Sequence, residues 1–324
     1  MRVAINPEER EQIRRWGRGL DHDITLRYAA SGHLLDDRFK AFVDQMADVA
    51  PRVRGKRDGE TTVSLPALFV NGQVTYQALP LDREMEPFLS VLYDPRTFVN
   101  RVDPADRQRL AQPCAPALIK VYITSHCPFC PTVVTTLLGL AGCSDRIRLT
   151  VIDGALFPEA ARNDRVNAAP TVTLDDQLRW TGSVDAGELV TLMLNRDPAS
   201  LGAEGLKTMI EGGDANGVAK MMADRGKIFP AFIDLLIHPR WSVRLGAMVS
   251  FETLVELDPE LAGGIVDPVR AVFDEVDDMV KGDLLHVIGE SGNRAAIPFL
   301  EKVATADGDD EVHAAAVEAI DKLK

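Results

Sequence analysis

The stretch VYITSHCPFCPTVV (residues 121–134) places two cysteines, Cys127 and Cys130, where an apolar extended run meets a helical pattern. β-Branched and aromatic residues dominate before Ser125, as in a buried strand, and the apolar spacing after Pro131 is helical. The stretch therefore predicts a strand-to-helix junction that carries a Cys-x-x-Cys pair. Such a pair is a redox dithiol, half of a metal site, or two buried thiols without chemistry.

The junction favours the redox interpretation. The free N–H groups and the dipole of a first helical turn stabilise a thiolate, which is the form that attacks a disulfide. We expect Cys127 to be that thiolate and the more shielded Cys130, one helical turn on, to resolve the mixed disulfide. Pro128 stiffens the first turn, and Phe129 offers an apolar edge that a partner can cover. His126 is either a plain loop residue, which we favour, or a charge beside Cys127.

A metal site fits the sequence less well. Structural zinc takes four ligands, commonly from two such pairs, whereas this chain has one pair and no histidine pair at ligand spacing. Haem attachment needs His where the chain has Pro131. We therefore expect no metal and no bound cofactor. Cys114 and Cys143 are interpreted as incidental thiols, with an auxiliary redox role left open for Cys114 if it is exposed.

Composition and charge exclude several classes of function. The 324 residues are 46% hydrophobic and 26% charged, as in soluble globular proteins, and their number suggests two or three domains. No apolar run approaches the roughly 18 residues that span a membrane, and the first residues lack a secretory signal, so we expect a cytoplasmic protein. The formal net charge is −13, and residues 201–324 hold 23 acidic against 12 basic side chains. Nucleic acid binding is therefore excluded, and solubility explains the acidity better than a basic partner does.

The region before the dithiol resembles the region that carries it. An offset of 95 pairs ITLRYAAS with IKVYITSH and aligns Gly32 and Leu35 with the two cysteines. Further on, an offset of 104 aligns Pro66 with Pro170. These matches indicate an internal duplication whose first copy lacks the cysteines.

Both copies have the predicted order strand, helix, hairpin, helix, with one more strand in the second copy. The first copy has a helix capped by Asn6, a strand over 24–31, a helix over 36–50, a hairpin turning at Asn71-Gly72, and a helix over 81–92. The second has a strand over 119–125, a helix over 131–141, a strand over 147–154, a hairpin turning at Asp175-Asp176, and a helix over 185–195. A linker is expected around 103–116, which is rich in Pro, Gln and Arg.

Beyond Pro198 the strand-like runs stop, and short apolar helical segments follow one another. Three of them align on Val243, Val280 and Val312, at spacings of 37 and 32 residues. Such spacings are typical of helical-pair repeats, and small residues or Leu follow each valine where packed helices would cross. The pattern resembles HEAT-like repeats.

Residues from about 8 to 195 resemble the amino-terminal domain of the alkyl hydroperoxide reductase flavoprotein subunit, and they are similar in plan to archaeal protein disulfide oxidoreductases. The resemblance lies in the strand into CPFCP, the TVV helix start, RIRLTVIDG and AAPTVTL. It implies two fused thioredoxin-like folds, the first without cysteines, with Cys127 attacking and Cys130 resolving. It also implies that Pro170 is a cis proline against the dithiol, and that the backbone of Ala169 pairs with an incoming extended chain.

In that reductase family the domain relays electrons from a flavin-bound disulfide to a peroxiredoxin. Here no Gly-rich dinucleotide fingerprint follows, and helical segments take the place of flavin domains. We therefore expect the electrons to come from a separate flavoprotein reductase or from glutathione. The Pro-Phe pair between the cysteines is glutaredoxin-like, which leaves the redox potential open.

The expected fold class is α/β plus all-α. We expect a degenerate thioredoxin-like fold over 1–105, a thioredoxin-like fold with the CPFC dithiol over 106–199, and HEAT-like helical repeats over 200–324. The expected function is that of a protein thiol–disulfide oxidoreductase, with protein disulfides, a peroxiredoxin among them, as substrates and an unidentified protein docked on the repeats. The alternative is a redox-switched binding scaffold with little turnover.

Overall fold

A computed structural model of the chain describes residues 5–112, 115–306 and 309–324. The chain divides into two compact units, Met1–Asn195 and Arg196–Lys324. The first unit is an α/β structure and the second is helical. Among the described residues, every helix is too short or too polar to span a lipid bilayer.

The first unit alternates strands and helices along the chain. Its strands are β1 (Ile24–Ala29), β2 (Val53–Asp58), β3 (Ala67–Phe69), β4 (Val74–Gln77), β5 (Ala117–Ile123), β6 (Ile147–Asp153), β7 (Thr171–Leu174) and β8 (Leu178–Thr181). Its helices are α1 (Pro7–Arg18), α2 (Asp36–Val49), α3 (Met85–Tyr93), α4 (Pro104–Leu110), α5 (Cys130–Ala141), α6 (Pro158–Asn163) and α7 (Ala186–Asn195), with 3₁₀ turns at Asp82–Glu84 and Val99–Arg101.

The eight strands form one mixed sheet in the order β2-β1-β3-β4-β6-β5-β7-β8. Strand β1 is parallel to β2 and antiparallel to β3, and β3 pairs antiparallel with β4. The same senses recur when β5 pairs with β6 and β7, and β7 with β8. Strands β4 and β6 join the two sets in parallel, with Val74 opposite Leu149. Because β5 is an interior strand, hydrogen-bonded ladders on both sides fix the strand that leads to the dithiol.

Helix α5 lies against this sheet and is apolar almost all round, as a buried helix must be. Val134, Leu137 and Leu138 on it are all buried. Gly139 allows the chain before α4 to approach closely, since a Cβ there would lie 2.7 Å from the carbonyl oxygen of Phe98. The position of the helix that begins at Cys130 is therefore set by tight packing.

Two segments of the first unit differ from the sequence expectation. The sequence pattern gives no strand at β2 because four of its six residues are charged. In the structure β2 is an edge strand, where charged side chains stay in water and discourage pairing with other chains. The linker expected around 103–116 contains α4, which Pro104 begins and the Asp103 side chain caps by accepting the Ala105 N–H at 2.8 Å.

The two sets of strands differ in length at one connection. Eight residues separate β2 from β3, and 17 separate β6 from β7. The longer connection holds α6 and the segment that leads to Pro170. The offset between the two sets of strands therefore changes from 95 to 104 at this place, which lies beside the dithiol.

The second unit is helical throughout its described residues. Its helices are α8 (Ala203–Glu211), α9 (Ala215–Arg225), α10 (Pro230–Leu236), α11 (Trp241–Leu257), α12 (Pro259–Gly263), α13 (Val266–Val272), α14 (Asp278–Glu290), α15 (Ile297–Ala304) and α16 (Asp310–Leu323). The three segments aligned in the sequence are α11, α14 and α16, and their aligned valines are buried. Buried Arg244 links α11 to α14 through an ion pair with Asp283 at 2.7 Å.

Replacing Gly139 with Ala tests whether close packing sets the position of α5. We expect G139A to lower the free energy of unfolding by about 1–3 kcal/mol, because the new methyl group meets backbone atoms that cannot rotate away. The matched control is G282A in α14, where nothing lies within 4 Å of the added Cβ. That variant should be neutral or more stable by up to about 1 kcal/mol. Urea denaturation checks both, and equal effects would contradict the packing account.

Candidate functional site

The candidate site lies at the end of β5. The chain leaves the strand after Ile123 and turns so that the Cys127 N–H donates to the Thr124 carbonyl at 3.1 Å. The Gly154 N–H donates to the Ile123 carbonyl at 2.9 Å, which ties the ends of β5 and β6 together. Cys127 and Cys130 form a disulfide, with their Cα atoms 5.5 Å apart.

The two cysteines differ in their access to solvent. Cys127 is 8% exposed and Cys130 is fully buried. The Cys130 N–H donates to Cys127 Sγ at 3.1 Å, so a backbone donor is in place for negative charge on that sulfur. Phe129 between them is 70% exposed. The arrangement presents Cys127 to a partner and keeps Cys130 behind it.

Pro128 lies outside the helix, contrary to the expectation that it stiffens the first turn. Helix α5 begins at Cys130 with Phe129 as its N-cap, and Pro131 occupies the first turn. The proline that a helix start accepts most readily is therefore Pro131. Pro128 lines the groove beside the disulfide instead.

The Ala169–Pro170 peptide bond is cis and lies next to the disulfide. Cys127 Sγ is 3.7 Å from the carbonyl oxygen of Ala169. The Pro170 carbonyl accepts the Gly182 N–H at 2.8 Å, whereas the Ala169 N–H makes no hydrogen bond within the described part of the chain. The structure thus brings Cys127, Cys130, Ala169 and Pro170 together.

A groove of about 600 Å³ opens over this site. One wall is the dithiol loop, with Pro128 and Phe129, and the other is the segment that ends at Ala169. Tyr122 and Gly154 line it between these walls. Most of its surface is apolar, so an apolar stretch of a client chain fits it.

Of the remaining predicted residues, His126 borders the site and Cys143 lies apart from it. His126 lines the groove on the Cys127 side. Cys143 is half-buried near the end of α5, its Sγ 3.2 Å from the Gly139 carbonyl, and burial raises the pKa of its thiol. Cys114 lies outside the described residues. Within those residues, no three His, Cys, Asp or Glu side chains are grouped so as to hold a metal ion.

The corresponding loop of the first half has no thiol. Gly32 adopts a left-handed conformation with φ of 84°, which a side chain would strain. The carboxylate of Asp36 accepts the Ser31 N–H at 3.1 Å and the Gly32 N–H at 2.7 Å. In this half the strand-to-helix turn is thus held by a carboxylate hydrogen-bonded to the backbone.

Sequence reasoning missed a buried carboxyl group near the start of α5. Glu84 ends the 3₁₀ turn Asp82–Glu84, which packs against α5, and it is 2% exposed. Neither of its carboxylate oxygens has a hydrogen-bond partner among the described residues. Burial, together with the charge of Asp153, raises the pKa of Glu84 to about 7. Charged Asp82 and Arg83 precede Glu84 and the largely apolar MEPFLSVL follows it, a pattern that equally fits an exposed helix start.

Asp153 at the end of β6 is the second buried carboxyl group. Its Oδ1 accepts the N–H groups of Ala155 at 2.8 Å and Leu156 at 3.1 Å. Burial raises the pKa of Asp153, although these hydrogen bonds and the charge of Arg38 act in the opposite direction. The first half thus contributes a carboxyl group, Glu84, to the neighbourhood of the second half's dithiol.

Comparison with known proteins identifies the part of the first unit that carries the dithiol. Residues 117–195 match a family model described as a thioredoxin domain. They form a thioredoxin-like domain. The chain therefore holds a thioredoxin-like α/β region and a helical region after it, and the predicted thioredoxin-like resemblance is confirmed.

Two curated proteins are similar over a larger part of the chain. An NADH dehydrogenase of Bacillus subtilis (strain 168) is 22% identical over 222 residues, which cover 67% of this chain and 44% of that protein. An alkyl hydroperoxide reductase subunit of Staphylococcus epidermidis is 21% identical over 205 residues, covering 60% of this chain and 39% of that protein. The chain thus spans about two fifths of the length of the curated relatives it matches.

A solved structure supports the fold. The protein disulfide oxidoreductase from Aeropyrum pernix K1 superimposes with a TM-score of 0.51 at 13% sequence identity. The match covers 59% of this chain and 93% of that one. At this identity the likeness is one of fold.

The raised pKa of Glu84 predicts a pH-dependent stability. Because its pKa is about 7 in the fold against 4.5 ordinarily, the fold favours the neutral carboxyl. The contribution of this group to the free energy of unfolding is fully present below pH 4.5. It falls by about 3 kcal/mol as the pH rises through 7. The variant E84Q should lack this loss, whereas E86Q, at an exposed position two residues along, should retain it. Urea denaturation of the oxidised protein from pH 4.5 to 8 measures the difference, and parallel curves for wild type and E84Q would contradict the burial account.

Proposed function

We propose that this protein is a thiol–disulfide oxidoreductase that acts on protein disulfides. The observation that supports this most directly is that Cys127, at the groove, is bonded to fully buried Cys130. Beside them the backbone N–H of Ala169 has no hydrogen-bond partner among the described residues. Cys127 meets the groove, Cys130 lies beneath it, and Ala169 offers its N–H and carbonyl within the same groove. An extended client chain can pair with Ala169 while its disulfide approaches Cys127.

The reaction proceeds in two exchange steps. In the reduced protein, the Cys127 thiolate attacks one sulfur of the client disulfide, forms a mixed disulfide, and releases the other client sulfur as a thiolate. The Cys130 thiolate then attacks Cys127 Sγ, forms the Cys127–Cys130 disulfide, and releases the second client thiolate. Two electrons pass from the dithiol to the client. The reverse sequence oxidises a client dithiol.

Glu84 supplies a proton carrier for the second step. Cys130 is buried, so its thiol proton must pass to a group within the protein before the sulfur can attack. Glu84 lies in a turn that packs against α5, and its pKa of about 7 lets it take up and return a proton near neutral pH. We propose that this carboxyl group takes up the Cys130 proton during the exchange.

The finer organisation of the chain is also a proposal. Residues 1–105 and 106–199 are two fused thioredoxin-like folds, the first without cysteines, which the repeated strand pairing supports. Residues 200–324 are HEAT-like repeats. The electrons come from a separate flavoprotein reductase or from glutathione, a peroxiredoxin is one client, and a reducing compartment such as the cytoplasm is the setting.

The exchange chemistry predicts distinct behaviour for the two cysteines. The variant C130S should accumulate mixed disulfides with a peptide disulfide substrate, because the resolving thiol is gone. The variant C127S should lose turnover by at least about three orders of magnitude and form no such adduct. Mass spectrometry of the adducts and a dithiothreitol-coupled turnover assay measure both. C143S is the matched control and should behave as wild type. Adducts that persist in a C127S/C130S double variant would refute the assignment.

The second unit is proposed to dock a protein partner. Trp241, Leu245 and Val249 stand at intervals of four residues along one face of α11 and are 57%, 39% and 41% exposed. An aligned set of exposed apolar side chains is typical of an interaction surface. The alternative, a redox-switched scaffold, shares this surface but requires negligible turnover and a partner affinity that changes on oxidation.

If this face docks a partner, a charge placed on it should lower partner binding without changing the rate of disulfide exchange. In a C130S background, V249E should lower the yield of trapped cellular partner several-fold, because an ionised side chain opposes apolar contact. The same change in the wild-type background should leave turnover of a small peptide disulfide unaltered. A271E, an exposed position of α13, adds the same charge elsewhere and should have no effect. Equal yields for V249E and A271E would contradict docking at α11.

A further inference from the structure

The wall of the groove that ends at Ala169 has backbone hydrogen bonds at its start but not at its last three N–H groups. This segment, residues 164–169, is called the strap; it connects α6 to the cis proline. The N–H groups of 164–166 donate to carbonyl groups of α6 at 2.7–3.0 Å, whereas those of 167–169 make no hydrogen bond within the described chain. The Ala168 carbonyl accepts the Thr171 hydroxyl at 2.8 Å. Asn167 and Ala168 are exposed. Side-chain contacts therefore contribute to the position of the strap beside Cys127.

Side chains of β5 hold the start of the strap. Asp164 accepts the Tyr122 hydroxyl at 2.6 Å and pairs with Lys120 Nζ at 3.0 Å. Lys120 also pairs with Asp176, in the β7–β8 turn, at 2.7 Å. Tyr122 is buried and its ring lines the dithiol groove. The strap is thus tied to the strand whose end carries the dithiol loop.

A second tie comes from β8. The Arg179 guanidinium donates to the Arg165 carbonyl at 2.8 Å and to the Asp164 carbonyl. The planar guanidinium fixes two successive carbonyl groups at once, which sets the direction in which the strap leaves α6. We call Lys120, Tyr122, Asp164, Asp176 and Arg179 the strap anchor.

We propose that the strap anchor is a positioning device for client recognition, which rests on the proposed function. Half-exposed ion pairs add little to stability, since solvation lost by the charges offsets their attraction. Their geometric effect is larger, because they fix the start of the strap, from which the chain runs to the unpaired N–H groups of 167–169. An extended peptide disulfide must pair with the strap and so depends on the anchor. A small aromatic disulfide has no chain to pair and needs only the dithiol.

The test compares the two kinds of disulfide. The variant D164N keeps the size of the side chain and removes its charge, which weakens the bonds to Lys120 and Tyr122. With dithiothreitol as reductant, its KM for a peptide disulfide should rise about tenfold with kcat within about twofold of wild type. Its rate with 5,5′-dithiobis(2-nitrobenzoate) should change by less than about twofold. The control E159Q removes an exposed pair with Arg162 on α6 and should leave KM unchanged.

Three kinetic outcomes overturn the positioning role. They are an unchanged KM in D164N, a kcat that falls as much as KM rises, and equal losses with the peptide and the small disulfide. K120Q, which removes the charge that pairs with Asp164 and Asp176, replaces D164N if that variant does not fold. Amide hydrogen exchange at Val166 should be about tenfold faster in D164N than in wild type. If wild type reduces no peptide disulfide, the proposed function fails. Separately, amide exchange at Val166 that is the same in D164N as in wild type refutes the strap anchor.

Discussion

The chemistry of this protein depends on where the chain turns from β5 into α5. The Cys130 N–H points at Cys127 Sγ from 3.1 Å, and Cys130 itself is fully buried. That geometry requires the strand and the helix to be held independently. Ladders on both sides hold β5, and close packing of Gly139 against the chain at Phe98 holds α5. Cys127 Sγ lies 3.7 Å from the carbonyl oxygen of Ala169, and a shift of either element would change this distance.

Elements with a strong period could be predicted from the sequence, and those whose position depends on distant contacts could not. The strands and helices around the dithiol follow from their apolar spacing, and the hairpin turn follows from Asp175-Asp176, both of which adopt left-handed conformations. Strand β2 is charged, so its identity comes from pairing with β1 at the sheet edge. Helix α4 was hidden by a segment whose Pro and Gln content is typical of a linker, although Asp103-Pro104 is a good helix start.

The residues of the site also fall into those that the sequence could predict and those that it could not. The cysteine pair and Ala169-Pro170 could be predicted from the Cys-x-x-Cys motif and the family resemblance. All four residues lie between β5 and β7, so a single continuous segment contains the whole pattern. Glu84 lies more than 40 residues before Cys127, and a sheet joined through β4 and β6 brings its half beside the dithiol. Nothing in a single sequence marks a glutamate as buried without partners. The strap anchor is equally hidden, since Lys120, Asp164 and Asp176 come from three separate elements and meet only in the fold.

The central claim is that Cys127, the less buried of the two cysteines, is the reactive thiol of the reduced pair. The most direct measurement is the rate of alkylation of each cysteine in the reduced protein at pH 7, with iodoacetamide and peptide mapping. The account predicts that Cys127 reacts first, while Cys130 is shielded by burial and Cys143 by a raised pKa. An unreactive Cys127, or equal rates at Cys127 and Cys130, would contradict it.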